Sequence, residues 1–427
     1  MINFLLLLLS FTYIFNHFKK KYAHWKKAFF FVLVIHIVVL LAFLILLQPE
    51  TALKAGVEGV NIWLNIILPS LFPFFVCSEI LINLGIADFI GTLLEPIIKP
   101  IFNVPGQSAY VFSISIASGY PIGAKNVANL LSNNEIDTIS GQKILSFCST
   151  SGPLFLIGSV SIGMLNNPSL GTLFAISHYI GALGVGLIFK FYYDFKYKNS
   201  HYSFINNISL NTALDKLIQK RRKNDKSIGE LLSLAVIKSM NTILMVGGFI
   251  ILYSIITNLL LSTKIFDVFS SILCYIIPSI SKDLIKGLLC GFIEMTNGCK
   301  IIAAVGNSSY VAKLSAISFI IGWSGLSIHS QVISIIKETK LKLKPYIAAK
   351  FAHGLLSAVL TLIIYKSFYS QNDYTIVSKI NTNVYLFPNN WLNIFVFSLK
   401  LFAVVIITLL LFGVVYNFIT SKINKRN

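Results

Sequence analysis

The chain has 427 residues, of which 55% are hydrophobic and 12% are charged, and its formal net charge is +19. Soluble globular chains carry about 25% charged residues. A soluble fold could not bury this much apolar surface, whereas a bilayer could, because each spanning helix takes about 20 apolar residues. Composition therefore excludes a soluble fold and predicts an all-α integral membrane protein. The Lys and Arg residues lie in short blocks between apolar runs, which argues against nucleic-acid binding.

Eight apolar segments are predicted to span the membrane. In chain order they are residues 28–47, 62–84, 144–165, 171–193, 230–260, 315–336, 347–368 and 392–418. Residues 2–18 would add a ninth span, although this run is short. The run from Ile2 to Phe15 has no basic region before it and no small-residue cleavage site, so no cleavable signal peptide is expected.

Blocks of basic residues predict the orientation of these spans. If the spans alternate, four blocks fall on one side: residues 19–27, 190–226, 337–350 and 422–426. The loops on the other side carry few basic residues, with only Lys54 in 48–61 and only Lys379 in 369–391. We therefore expect the blocks and the C-terminus in the cytoplasm. Five lysines fit this scheme badly because they fall outside: Lys264, Lys282, Lys286, Lys300 and Lys313.

The order of segments indicates an internal repeat. Residues 62–190 and 230–366 each contain a long apolar helix, a weaker amphipathic stretch, a short broken or re-entrant segment and two closing helices. If the broken segments are re-entrant hairpins, each copy crosses the membrane three times, and an odd number makes the two copies inverted. The chain is then predicted to divide into N-terminal spans, a first repeat, a basic cytoplasmic linker, a second repeat and a C-terminal span with a basic tail: 1–55, 56–194, 195–227, 228–370 and 371–427.

The broken segments are where we expect a substrate site. Inverted repeats with interrupted helices at matching positions are typical of secondary transporters, whose substrate binds where the interruptions meet. In the first repeat Pro121 removes a backbone donor, and Gly119 and Gly123 can adopt unusual dihedral angles. The amides that follow are predicted to bind an anion at the start of a half-helix. The second repeat offers Glu294, Thr296 and Asn297 within one turn.

These segments and a polar stripe near residue 329 supply the predicted substrate-binding residues. They are Ser118, Gly119, Tyr120, Pro121, Gly123, Lys125, Glu294, Thr296, Asn297, Ser324 and Gln331. Glu294 is also a candidate for proton coupling, because acids inside membrane segments are usually functional.

Each feature also has a structural interpretation. The Gly-Pro sequence could be a kink for helix packing, and Lys125 could extend to the membrane interface. His178 and His329 are more often packing residues than ligands. Glu79, a second acid in an apolar segment, could have a structural partner as readily as a coupling role.

Enzyme signatures are absent from the sequence, which lacks a P-loop, an HExxH motif and a GxSxG motif. Its five cysteines form no CxxC pair and lie in or beside apolar segments. We therefore expect no catalysis and no bound cofactor or metal.

Four stretches resemble a known family. They are residues 68–74 (LPSLFPF), 117–125 (ASGYPIGAK), 294–298 (EMTNG) and 324–331 (SGLSIHSQ). They are similar to the sporulation integral membrane protein family called YlbJ or SpoVV, whose members carry paired gate, or nucleoside-recognition, domains. The resemblance covers about 55–370. It implies a role in endospore formation, with transport of dipicolinate from the mother cell across the outer forespore membrane.

Dipicolinate, a small planar dianion, suits the predicted site. Lys125 and the amides around Gly123 would supply positive potential, and Tyr120 could stack on the ring. The expected partners are the bilayer, this anion, and either a second copy of the chain or other sporulation membrane proteins. The alternatives are a nucleoside or other small-anion carrier, a non-transporting sporulation scaffold and an intramembrane enzyme.

Overall fold

The structure, a computed structural model, describes residues 25–197, 210–223, 226–306 and 308–369. Within these ranges every regular element is helical and no strand is present, in agreement with the composition. The predicted spans 2–18 and 392–418 lie outside the described residues.

The described residues of the first half form eight helices. They are α1 Trp25–Leu47, α2 Pro49–Ile62, α3 Leu68–Asn83, α4 Ile86–Phe102, α5 Gln107–Ser118, α6 Ile122–Ser132, α7 Thr138–Phe147 and α8 Leu170–Lys196. Two π-helical segments also occur, Trp63–Ile67 between α2 and α3 and Leu154–Met164 between α7 and α8. Asp137 fixes the start of α7 by accepting hydrogen bonds from Ile139 N and Ser140 N.

The second half follows a helix of the predicted linker. The elements are α9 Leu210–Lys223, α10 Ile228–Ser262, α11 Ile265–Ile276, α12 Lys282–Ile293, α13 Met295–Ala304, α14 Tyr310–Trp323, α15 Gly325–Ile336, α16 Leu343–Ile364 and a π-helical end, Tyr365–Tyr369. A capping box between Ser227 and Glu230 begins α10, and the Ser281 hydroxyl caps α12.

The two halves share one order of elements. In each half, a long helix is followed by a residue in the left-handed backbone conformation, which is Gly85 (φ 90°) in the first half and Lys264 (φ 59°) in the second. An amphipathic helix then begins, α4 in the first half and α11 in the second. Two interrupted helices follow, and a long helix, α8 or α16, closes the half. The repeated order of parts predicted from the sequence is therefore present in the described residues.

Fewer spans are found than the sequence predicts. In the described residues, four helical segments are long and apolar enough to cross a membrane: Leu170–Lys196, Ile228–Ser262, Tyr310–Ile336 and Leu343–Phe368. If each of two bent pairs is one span, the number rises to six; the pairs are Phe31–Leu47 with Pro49–Asn65 at 103° and Leu71–Asn83 with Ile86–Pro96 at 77°. The predicted span 144–165 is not one helix, because residues 148–152 are irregular between α7 and the π-helical segment.

Part of the predicted linker is folded. Helix α9 packs against α4, where Lys220 Nζ forms ion pairs with Asp88 at 3.7 Å and with Glu135. The described part of the linker is therefore a helix attached to the first half and not an irregular loop.

Helices α14 and α16 cross at two glycines. A Cβ atom on Gly322 would lie 2.6 Å from Gly354 Cα, so only small residues allow this approach. Around the buried core, large apolar side chains on α1, α8, α10 and α16 are exposed, among them Val38, Phe191, Ile237 and Val359. An exposed apolar surface of this extent suits contact with lipid.

We predict that Gly322→Ala lowers the thermal unfolding midpoint in detergent. The added methyl group would meet the Gly354 backbone, and overpacking of this kind costs about 1–3 kcal/mol. Gly248→Ala is the matched control, because a Cβ atom there meets nothing within 4 Å and Ala favours a helix. Equal midpoints for the two variants would contradict the close crossing.

Candidate functional site

Within the described residues, four interruptions divide the short helices of the two halves. Break 1 is Gly119–Pro121, between α5 and α6, and break 2 is Cys148–Gly152, between α7 and the π-helical segment. Break 3 is Glu294, between α12 and α13, and break 4 is Ser324, between α14 and α15. Breaks 1 and 3 fall in the two segments that the sequence marks as broken.

The breaks lie against one another in pairs. A Cβ atom on Gly119 (φ +81°) would lie 2.6 Å from Gly152 N, so breaks 1 and 2 meet backbone to backbone. Gly325 (φ +78°) packs on break 3, where its Cβ atom would lie 3.1 Å from both Ile293 O and Met295 N. Irregular backbone at membrane depth needs such protein neighbours.

A chamber of about 180 Å³ lies where the two pairs of breaks meet. A water molecule needs about 10–15 Å³ of such space, so the chamber can hold several waters or one small solute. Apolar walls come from α2, α3 and α10 through Ile62, Leu71 and Ile250. The rest of the lining is mostly small or polar and includes Ser118, Gly119, Tyr120, Ser151, Gly152, Ser159, Ser254, Glu294, Thr296, Asn297, Ser327 and Gln331.

Glu294 caps the half-helix α13 from the chamber wall. Its carboxylate accepts hydrogen bonds from Thr296 N at 3.1 Å and Asn297 N at 2.7 Å. Such a cap satisfies free amides at a helix start and places negative charge at the positive end of the helix dipole. The amides of α13 that could attract a solute anion therefore already have a resident partner.

Two other polar side chains of the chamber have free hydrogen-bonding atoms. Within the described residues, both amide atoms of Gln331 and the hydroxyl of Ser118 lack a hydrogen-bond partner, although both residues are buried. Buried polar atoms are nearly always hydrogen-bonded. These atoms are covered in this arrangement, so a solute or water would reach them only after neighbouring side chains move.

Seven of the eleven predicted binding residues line the chamber. They are Ser118, Gly119, Tyr120, Glu294, Thr296, Asn297 and Gln331. The other four do not line it. Pro121 and Ser324 belong to breaks 1 and 4, and Gly123 packs so tightly that its Cβ atom would lie 1.6 Å from Cys148 O. Lys125 lies in a different cavity.

That second cavity, called the vestibule here, has a volume of about 980 Å³. Lys125 Nζ lies 3.3 Å from Glu79 Oε1, and Lys238 Nζ lies 3.7 Å from Glu79 Oε2. Asn129 also donates to Glu79 Oε1 at 2.9 Å. Lys125 therefore faces a carboxylate of the protein. Glu79 has hydrogen-bond and ion-pair partners within the protein, as its structural interpretation requires.

An apolar cluster, called the plug here, lies between the cavities; it consists of the fully buried side chains Phe75, Ile122 and Ile243. Along α3, Leu71 lines the chamber, Phe75 belongs to the plug and Glu79 lines the vestibule. The chain repeats this order from Tyr120 in the chamber through Ile122 to Lys125 in the vestibule. Along both elements, plug residues therefore lie between residues of the two cavities.

The sequence patterns did not single out Lys350, which is 0% exposed on α16. It was counted with the basic block 337–350, but its Nζ donates to Ser149 O at 2.8 Å and lies 3.1 Å from Tyr120 Oη. His353, one turn later, and His178 are buried beside it. The K-x-x-H spacing within an otherwise apolar helix is the signal that could have revealed this cluster.

The structure also bears on metal binding. Within the described ranges, no group of three or more His, Cys, Asp or Glu side chains is placed to hold a metal ion.

Comparison with known proteins supplies the family. The model of the Gate family, described as nucleoside recognition, matches residues 64–185, a range that contains breaks 1 and 2. The chain is 37% identical over 331 residues to the sporulation integral membrane protein YlbJ of Bacillus subtilis (strain 168), with 76% of this chain and 80% of that protein covered. No solved structure matches the chain. Identity at this level over most of both lengths shows that the chain belongs to the family of the sporulation integral membrane protein YlbJ.

Proposed function

We propose that this protein is a membrane transporter of a small anionic metabolite. The observation that carries the proposal is the chamber, whose walls combine interrupted helices from both halves of the chain. Cavities built by discontinuous helices of two repeats are how many secondary transporters hold a solute. The free amide atoms of Gln331 and the hydroxyl of Ser118 give the chamber polar groups for that solute.

The vestibule and the plug support a route to the chamber. The vestibule is lined largely by polar side chains, and the plug separates it from the chamber along α3 and between Tyr120 and Lys125. A carrier of this kind opens one side at a time. Displacement of Phe75 and Ile122 would then admit a solute from the vestibule.

We further infer that the two halves are inverted and that the vestibule faces the cytoplasm. The shared element order supports duplication, and the predicted cytoplasmic segment 337–346 contributes vestibule residues. Three of the five lysines on the expected outer side have partners within the protein. They therefore count less as evidence against the predicted orientation. Lys286 pairs with Asp267 at 2.6 Å, Lys300 lies 3.8 Å from Glu58, and Lys313 donates to the carbonyl oxygens of Ala303 and Val305.

For the solute we propose dipicolinate, moved from the mother cell across the outer forespore membrane during endospore formation. Membership of a sporulation family supports this biological setting. The chamber offers an aromatic wall at Tyr120 and hydrogen-bonding groups at Gln331 and Ser118, which suit a planar ring with two carboxylates. The Gate match favours a nucleoside as the second candidate.

The proposed orientation predicts which positions an impermeant thiol reagent reaches in intact cells. In a background without the five native cysteines, Lys216→Cys on α9 and Lys340→Cys should remain unlabelled, because both lie in segments assigned to the cytoplasm. Lys54→Cys, assigned to the outer loop, should be labelled and is the positive control. Strong labelling at residue 216 would contradict the inverted arrangement.

The proposed substrate predicts uptake of labelled dipicolinate by proteoliposomes that contain the full chain. Gln331→Leu should weaken dipicolinate binding about tenfold, because loss of a hydrogen bond to a charged group costs about 1.5–3 kcal/mol. Ser330→Ala is the control: Ser330 also lies on α15 but is hydrogen-bonded to Tyr253 and does not line the chamber. Uptake of uridine with no uptake of dipicolinate would replace the substrate with a nucleoside, and uptake of neither would favour a scaffold.

Proton coupling through Glu294 predicts a selective defect in Glu294→Gln. This variant keeps an acceptor oxygen for the amides of α13 but cannot titrate. It should still exchange dipicolinate across the liposome membrane and should lose any acceleration by a pH gradient. Glu230→Gln is the control, because Glu230 also bonds a helix-start amide, Ser227 N at 2.7 Å, away from the chamber. A folded Glu294→Gln protein with unchanged pH-gradient dependence would limit Glu294 to holding break 3.

A further inference from the structure

Lys350 differs from the other buried lysines of the described residues. Lys99, Lys125 and Lys143 each lie within 4 Å of a carboxylate, those of Glu95, Glu79 and Asp194. Lys350 is the most deeply buried of the four, yet no carboxylate of the described ranges lies within 4 Å of its Nζ. An unpaired charge inside a protein is costly, which makes such a lysine a candidate for function.

The hydrogen-bond partners of Lys350 are all neutral groups. Its Nζ donates to Ser149 O at 2.8 Å and Tyr120 Oη at 3.1 Å, and it lies 3.2 Å from His353 Nδ1. His353 Nε2 lies 2.8 Å from His178 O, so Nε2 carries the proton and Nδ1 accepts from Lys350. The donors of Lys350 are therefore satisfied, while no carboxylate of the described ranges is placed to balance a charge on it.

No acid compensates this charge from the adjoining elements. The groups beside Lys350 are Tyr120 of break 1, the Ser149 carbonyl of break 2 and His353 of α16, with His178 of α8 and His329 of α15 also close enough to interact electrostatically. The His178 Nε2 atom accepts from Ser151 N at 2.8 Å, so His178 is also held neutral. The described surroundings of Lys350 thus provide dipoles but no negative charge.

The chamber and Lys350 share a wall. The Tyr120 side chain lines the chamber, while its hydroxyl accepts from Lys350 and its ring centroid lies 4.8 Å from Lys350 Nζ. The Tyr120 hydroxyl in turn donates to Ile321 O at 2.9 Å. A rotation of one aromatic side chain would therefore connect the chamber with the ammonium group.

We propose that Lys350 is the cationic group that binds a carboxylate of the transported solute, and that Tyr120 occupies this position when the chamber is empty. The proposal rests on the proposed transport function. Within that function, it makes Lys350 the residue that recognises the negative charge of the solute. An entering carboxylate takes the hydrogen bond that Lys350 makes to the Tyr120 hydroxyl, and the resulting charged pair is stronger than a neutral bond. Lys125, the cation expected from the sequence, already faces Glu79.

The test compares two probes of nearly the same shape, dipicolinate and its neutral diamide, pyridine-2,6-dicarboxamide. Their affinities are measured on the full chain in lipid nanodiscs. The wild type should bind dipicolinate at least about tenfold more tightly than the diamide. Lys350→Gln should abolish this preference and leave diamide binding unchanged within about twofold. Lys313→Gln, which removes another lysine bonded to carbonyl oxygens, should keep the preference.

A second variant tests the proposal independently in case Lys350→Gln does not fold. Tyr120→Phe keeps the ring but removes the hydroxyl that competes for Lys350, so it should increase the preference for dipicolinate over the diamide. Unchanged preference in both Lys350→Gln and Tyr120→Phe would overturn the role of Lys350 and leave it as a structural tie to Ser149. A wild type that binds neither probe would instead overturn the proposed substrate, so the two failures are distinguishable.

Discussion

Broken helices inside a membrane protein must give their irregular backbone groups protein neighbours, and the rest of this structure depends on that constraint. The solution is the same in both halves: two breaks lie against each other, through Gly119 and Gly152 in one half and through Gly325 and Ile293 in the other. Side chains larger than hydrogen would separate these segments. Because the breaks meet, small and polar residues from distant parts of the chain enclose one chamber.

The buried acidic groups and the buried Lys350 differ in the partners that the protein gives them. Glu294 is bound by two amides at the start of α13, and Glu79 is bound by Lys125, Lys238 and Asn129. Lys350 has only neutral partners within the described residues. The acids therefore have partners within the protein, while Lys350, which contacts the chamber-lining Tyr120, has no carboxylate partner among the described residues, and this asymmetry supports the proposal of an anionic solute.

Much of the fold follows from local patterns, whereas the site depends on tertiary contacts. Hydropathy predicted the long helices α8, α10 and α16, and the Gly-Pro and Glu-Met-Thr-Asn-Gly sequences located breaks 1 and 3 because those residues interrupt a helix locally. Break 2 was missed as an interruption, since residues 144–165 are apolar throughout most of their length. The role of Lys350 was hidden for a different reason: charge counting places a lysine near a basic loop, but only the packing of α16 against α8 shows that it is buried.

The chamber has walls from both halves of the chain, and this has a thermodynamic consequence. Polar bonds of the described residues already join the two sides near it, among them Tyr120 Oη to Ile321 O and His353 Nε2 to His178 O. A solute bound to Ser118 and Gln331, as proposed, would add a further tie between the halves. It therefore stabilises the arrangement in which they meet, and by linkage any shift of one half against the other changes the affinity for the solute by an equal free energy. Occupancy and conformation of this protein are thus two measures of one equilibrium.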